Sequence, residues 1–339
     1  MSRGLKRLLI IIVASVVSIA GILYFTIDER TGAALSDVRP IFLLALFGCW
    51  IAVLVFDAGS IMLYTKGTDE RIKFLSAIKT TTIRVFFNIV TPFSFGGQPF
   101  SIFSLHREGV PSGKGSSIVI IKLITLAAFT QAGAFISFLL FNDRISNVKA
   151  LNSIVMISGL AGVGTIILLT FGFLFPQFLV KTITTTGKLL HAIHLVKHPG
   201  KIRRRVIIQA ATARRSFRRY FSSHLGYFIS GTVCNGLVYA TQLIMLWLIL
   251  LGLGINVTFL TGLVLASMLT FLLTFMPTPG AIGLGEAMFF LLFSKTIPTY
   301  MIGIAIVLWR FFFHYLSAIL GAVNSSNYLS DILVRKQAA

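Results

Sequence analysis

Residues 91–104 read TPFSFGGQPFSIFS. They sit inside a long apolar region, Thr80 to Leu105, yet carry two prolines, a Gly-Gly pair and Gln98. Proline removes a backbone donor and glycine loosens a helix, so a helix entering this stretch breaks there. A second apolar region, Val257 to Phe293, is broken in the same way by PTPGAIGLGEA at 277–287. Each region is too long for one span of about 20 residues. Backbone freed at membrane depth is tolerated only where protein buries it or where it lines a polar cavity. Both breaks therefore read as hairpin tips beside a watery or headgroup-sized space. A simple helix kink is the plainer alternative.

Composition sets the medium. The chain has 339 residues, 56% hydrophobic and only 12% charged, against about 25% charged in soluble domains. With a mean hydropathy of +0.89, this is a membrane-embedded chain. The net charge of +20 would suggest nucleic acid in a soluble protein; in a membrane protein it reflects basic cytoplasmic loops. Cys49 and Cys234 lie in apolar segments without CxxC spacing, which argues against a disulfide framework or a zinc site. His191, His194 and His198 fall in a basic loop at a spacing that could share one helical face and hold a metal, but with no acid or cysteine nearby they read as solvated. No cofactor or metal is expected.

Full spans are expected over Leu8–Ile27, Ile41–Tyr64, Ser116–Phe141, Ile154–Phe175, Gly226–Leu251 and Tyr300–Ala322. The fold class is an all-α polytopic membrane protein. Six full helices plus two re-entrant hairpins fit, with a possible inverted repeat; about eight spans is the alternative. The segment from Pro176 to Ser223 carries eleven Lys or Arg and no Asp or Glu. The positive-inside rule places it in the cytoplasm, along with Arg3, Lys6, Arg7, Arg335 and Lys336 near the termini. Residues 1–325 thus form the transmembrane domain, with a basic loop at 176–223, and 326–339 form a short cytoplasmic tail. The expected location is the plasma membrane.

Several charges are set into apolar sequence: Asp57, Arg84, Lys122, Glu286 and Arg310. Ionisable groups at membrane depth are functional candidates by default. Arg310 lies near the middle of the last span and needs a partner, for which Glu286 is the first choice. His314 shares its helical face at i+4. Glu286 also opens an apolar half-helix, where a carboxylate can simply cap. Lys122 fits a snorkelling anchor or a site residue equally. At the first tip, the freed N–H groups of a half-helix could hold an anion such as phosphate, and the Gln98 amide can donate and accept.

At these residues a family comes into view. TPFSFGGQPFSIFSLHREGV, PTPGAIGLGEAMFFLLF and WRFFFHYLSAILGA resemble, in order, three motifs of the lysylphosphatidylglycerol synthase transmembrane-region family, flippase-like membrane proteins. The resemblance covers about residues 8 to 325. It marks Pro92, Gly96, Gly97, Gln98, Pro99, Pro277, Pro279, Gly280, Gly283, Gly285, Glu286 and Arg310 as site candidates. Many members carry a glutamate where Gln98 stands, which puts proton coupling at this position in doubt. The resemblance implies a membrane region that moves a lipid to the outer leaflet. In bifunctional members a soluble domain transfers lysine to phosphatidylglycerol, and no such domain is recognised in these 339 residues.

Arg214, Arg215, Arg218 and Arg219 recur at helical spacing with Phe217 and Phe221. A basic amphipathic helix on anionic inner-leaflet lipid fits; single-stranded nucleic acid is the sharper and less favoured reading. The resulting function is binding and translocation of a phospholipid or lipid-linked headgroup, with Gly96, Gly97, Gln98, Pro99, Gly280, Gly283, Gly285, Glu286, Arg310, His314, Lys122 and Arg84 as substrate-binding candidates. A homo-oligomer is compatible with it. The alternatives are a membrane-embedded lipid transferase, for which HExxH, GxSxG and paired carboxylates are all missing, and a partner subunit of a separate synthase.

Overall fold

The computed structural model describes residues 39–91, 94, 96–145, 159–160, 162–164, 167, 212, 215–216 and 218–325, the side chains of 141–145 excepted. Among them the chain is helical. Four helices are long and apolar enough to cross a membrane: α1 (Pro40–Lys66), α4 (Ser112–Ile145), α5 (Leu225–Gly252), and α8 (Thr299–Arg310), which continues through a π-turn at Phe311–Tyr315 to Ser325. The shorter helices are α2 (Phe74–Ile89), α3 (Gly97–Arg107), α6 (Phe259–Leu273) and α7 (Leu284–Phe293). The expected spans over Leu8–Ile27 and, almost entirely, Ile154–Phe175 lie outside the described residues.

The short helices settle the hairpin question. At 1.5 Å per residue, α2 and α3 reach about 24 and 17 Å, and α6 and α7 about 22 and 15 Å. None crosses a hydrocarbon core of about 30 Å. The first broken region is longer than its apolar run suggested: α2 begins at Phe74, not Thr80. Its two helices lie antiparallel. Ser76 Oγ donates to Glu108 Oε2 (2.7 Å), Thr80 and Ser104 hydroxyls meet at 2.8 Å, and the rings of Phe87 and Phe100 stack near the tip. In the second region α7 packs back on α6, with a 3-10 turn, Pro279–Ala281, between them.

The order is span, hairpin, span, given twice: 40–145 and 225–325. The leading spans of the two units run antiparallel, because Gly252 lies against Phe42 and Gly231 against Tyr64. That is the opposite sense an inverted repeat requires. By contrast α4 and α5 run parallel: Lys122 contacts Asn235, and Gly133 lies against Tyr239. The C-terminal end of α4 and the start of α5 are therefore at opposite ends of the bundle.

Packing follows from small residues where helices touch. A Cβ on Gly321 of α8 would lie 2.2 Å from the carbonyl oxygen of Thr82, so glycine lets α8 lie directly on α2. Asn324 Nδ2 donates to Thr82 Oγ1 (3.0 Å) and Trp50 Nε1 to Ser317 Oγ (3.0 Å), tying α8 to α2 and α1. One apolar cluster, including Leu46, Leu250, Phe271, Phe293 and Trp309, joins α1 and α5–α8. A second, around Tyr64, Ala77, Leu105, Ile118 and Tyr220, fills the other end. On α1 the residues Ile41, Leu44, Phe47, Ile51 and Val55 form an exposed apolar stripe at helical spacing.

Candidate functional site

The two hairpin tips meet. Gly280, with φ of 58°, packs against the backbone of Ile89, the last residue of α2. A Cβ there would come within 3.3 Å of the Ile89 Cα and carbonyl oxygen. Next to this contact is a cavity of about 200 Å³. Asp57 and Leu54 of α1, Thr81, Arg84 and Asn88 of α2, Ser94 of the first tip, Gln242 of α5, Gly280 and Ala281 of the second tip, and His314 and Ser317 of α8 line it. Both tips place a non-glycine residue in left-handed backbone on its wall, Ser94 (φ 54°) and Ala281 (φ 55°). Such strain persists only where the surroundings enforce it.

Asp57 is the centre of a charge cluster. Its carboxylate accepts from Arg84 Nη2 (3.0 Å to each oxygen) and from Thr81 Oγ1 (2.6 Å). Lys122 Nζ lies 2.8 Å from Asp57 Oδ1 and also donates to Ser60 Oγ (2.5 Å) and Asn235 Oδ1 (3.0 Å). Asn235 Nδ2 passes the network on to Thr125 Oγ1 (2.6 Å) and Tyr64 Oη (3.3 Å). Lys122 is buried, so the snorkelling alternative does not apply.

Glu286 and Arg310 are brought together, and both are closed off at 0% and 1% exposure. Arg310 Nε lies 2.8 Å from Glu286 Oε1, a charge contact in which the N–H is not aimed at the oxygen. Arg310 Nη1 and Nη2 donate to the carbonyls of Gly280 and Ala281 (2.8 Å each). Glu286 Oε2 accepts from the Gly283 N–H (2.7 Å), a cap on α7. The pair therefore grips the second tip by its backbone. A Cβ on Gly285 would lie 2.6 Å from Arg310 Nη2, which leaves only glycine room there.

Other expected residues sit apart. Gly96 N donates to Thr91 Oγ1 (2.8 Å) and Gly97 N to Asn88 Oδ1 (2.9 Å), so these two amides of the first tip are satisfied within the hairpin. Gln98 is half-buried and Pro99 exposed, and neither lines the cavity. Pro92 lies outside the described residues. His314 reaches the cavity wall in the π-turn that starts right after Arg310, and its Nδ1 is buried with no hydrogen-bond partner among the described residues. Arg84 lines the cavity and Lys122 stands behind Asp57. Among the polar residues of this region, Asp57, Asn88, Asn235 and Gln242, with the hydroxyls of Thr81, Ser94 and Ser317, stood outside the expected substrate-binding set. Asp57 was visible as a charge in apolar sequence; the amides gave only the weaker signal of a polar side chain within a hydrophobic helix.

Of the basic segment, Arg219 Nη1 meets Asp69 Oδ2 at 2.5 Å, and His224 Nε2 lies 3.3 Å from Asp69 Oδ1. The end of that segment thus lies against the turn that follows α1. The three loop histidines, Arg214 and Phe217 lie outside the described residues. Among the described residues no cluster of three His, Cys, Asp or Glu could hold a metal.

The family model described as lysylphosphatidylglycerol synthase TM region matches residues 11–321. A "UPF0104 membrane protein" of Archaeoglobus fulgidus is 24% identical over 327 residues, covering 94% of this chain and 95% of its own. No solved structure matches.

Proposed function

This chain belongs to the lysylphosphatidylglycerol synthase TM-region family, and from that premise we propose that it binds a phospholipid or lipid-linked headgroup and carries it between leaflets. The observation that supports the reading most is the polar cavity between the tips of two broken hairpins, lined by Asp57, Arg84, Asn88, Gln242 and His314. Buried charges are costly to place at membrane depth even when paired, and such groups are functional candidates by default. The headgroup crosses through the cavity while the acyl chains stay in the bilayer. Glu286 and Arg310 hold the second tip in the shape that closes the cavity. Both termini and the basic segment 176–223 face the cytoplasm of the plasma membrane, where the arginines contact anionic lipid.

The test is leaflet exchange. Purified protein is reconstituted in liposomes with fluorescent headgroup-labelled lipids, and dithionite quenching follows the exchange. Wild type should accelerate it, and Arg84→Gln should lose most of the acceleration while keeping its fold. No acceleration from folded wild-type protein with any lipid would reject the reading.

A further inference from the structure

We infer that the cavity takes a phosphate-bearing anionic headgroup about the size of glycerol phosphate and turns away a headgroup that carries an added aminoacyl cation. This rests on the reading that the cavity holds a headgroup, and it names the class. Size comes first. A volume of about 200 Å³ is below the roughly 300–1,000 Å³ of pockets that enclose drug-sized ligands. A headgroup fits, and the acyl chains do not.

Charge decides the rest. Among the described residues Asp57 is the one carboxylate in the cavity wall, and it is already shared by Arg84 and Lys122. Lys122 is an ammonium on geometric grounds. It faces three acceptors, Asp57 Oδ1, Ser60 Oγ and Asn235 Oδ1, and only the charged form has three donors. Ser60 uses its own proton on the Asp57 carbonyl (2.7 Å), so towards Lys122 it can only accept. Two cations and one carboxylate leave one positive charge in excess. Glu286 and Arg310 cancel each other and do not touch the cavity.

The excess charge is exposed to the cavity at Arg84. Its Nη2 is used on Asp57, and the 15% of its side chain that is exposed lies on the cavity wall. A buried cation without a full counter-charge is unfavourable, and an anion in the cavity against the exposed part of the Arg84 side chain would complete the cluster. A planar guanidinium also suits phosphate oxygens. Asn88, Gln242 and Ser94 stand around it for a glycerol hydroxyl. An aminoacyl ammonium would bring a second cation to a site whose one carboxylate is already occupied twice.

The experiment measures thermal unfolding of the full chain in neutral detergent with increasing ligand. The ligands are dihexanoyl phosphatidylglycerol, its lysyl ester, dihexanoyl phosphatidylcholine, glycerol 3-phosphate and inorganic phosphate. Ligands that bind the native state raise its midpoint. Phosphatidylglycerol should bind about tenfold or more tightly than the lysyl ester or phosphatidylcholine, the scale of one charge-assisted contact. Lys122→Gln, which keeps two N–H donors for Ser60 and Asn235, should shrink that preference to within about threefold, because the site becomes neutral. A lysyl ester that binds as tightly as phosphatidylglycerol overturns the inference and leaves the headgroup reading standing. Stabilisation by inorganic phosphate with none from any lipid supports the anion chemistry and overturns the headgroup reading. No stabilisation by any ligand overturns both. Should Lys122→Gln not fold, the ranking of the ligands on wild type decides by itself.

Discussion

At the second hairpin, Arg310 donates from Nη1 and Nη2 to the carbonyls of Gly280 and Ala281 and holds Nε against Glu286 in a charge contact, and both side chains are shut away from any space. At the first hairpin, Arg84 donates from Nη2 to Asp57 and lines the cavity with 15% of its side chain exposed. Each hairpin is thus pinned to a full-length helix by one acid–arginine pair, Asp57 of α1 with Arg84, and Glu286 with Arg310 of α8. Identical chemistry serves two ends. The closed pair bonds backbone carbonyls and fixes shape, whereas the pair that faces the cavity, with a second cation behind it, is the one we propose attracts a ligand. What separates the two pairs is contact with the cavity and the choice of backbone carbonyls or carboxylate as partner.

Substitutions can break this contrast. The largest effect is expected from Arg310→Ala. It leaves Glu286 charged and buried and releases two strained carbonyls, a loss of about 3–5 kcal/mol. Thermal unfolding in detergent should show it, and leaflet exchange should be lost with it. A stable Arg310→Ala protein would show that the second pair is not the clamp. Next comes Gly97→Ala at the first tip. A Cβ there would meet Asn88 Oδ1 at 2.1 Å and the Arg84 carbonyl at 2.4 Å, so overpacking should cost about 1–3 kcal/mol. Gly48→Ala on α1 has open space around the new methyl group and should stay within about 0.5 kcal/mol of wild type. Equal midpoints for the two alanine variants would contradict the close packing of the first tip. The smallest stability change among the charged positions is expected for Arg84→Gln. Asp57 keeps Lys122 and Thr81, so the loss is about 1 kcal/mol. Its exchange activity should nevertheless fall as far as that of Arg310→Ala. A variant that unfolds as readily as Arg310→Ala would erase the distinction between clamp and site.

Much of the architecture was legible because membrane constraints are written locally. A span needs a long apolar run, and a break needs Pro and Gly, so α1, α4, α5, α8 and both hairpins could be placed from sequence. Boundaries shifted where polar residues continue a helix. Phe74–Lys79 extends α2 beyond its apolar run because Ser76 finds Glu108 across the hairpin. The pairing of Glu286 with Arg310 was expected from the cost of an unpaired charge. The π-turn that carries His314 was not, since it has no signature in WRFFFHYL.

The sequence by itself determined the medium, the helical class, the two breaks and the buried charges, since each depends on the chemistry of neighbouring residues along the chain. Only the tertiary structure decided which charges share a site. Asp57, Arg84, Lys122 and Asn235 lie on four different helices. Their meeting depends on how those helices pack, and packing is set by shape complementarity between distant segments, which no local pattern encodes.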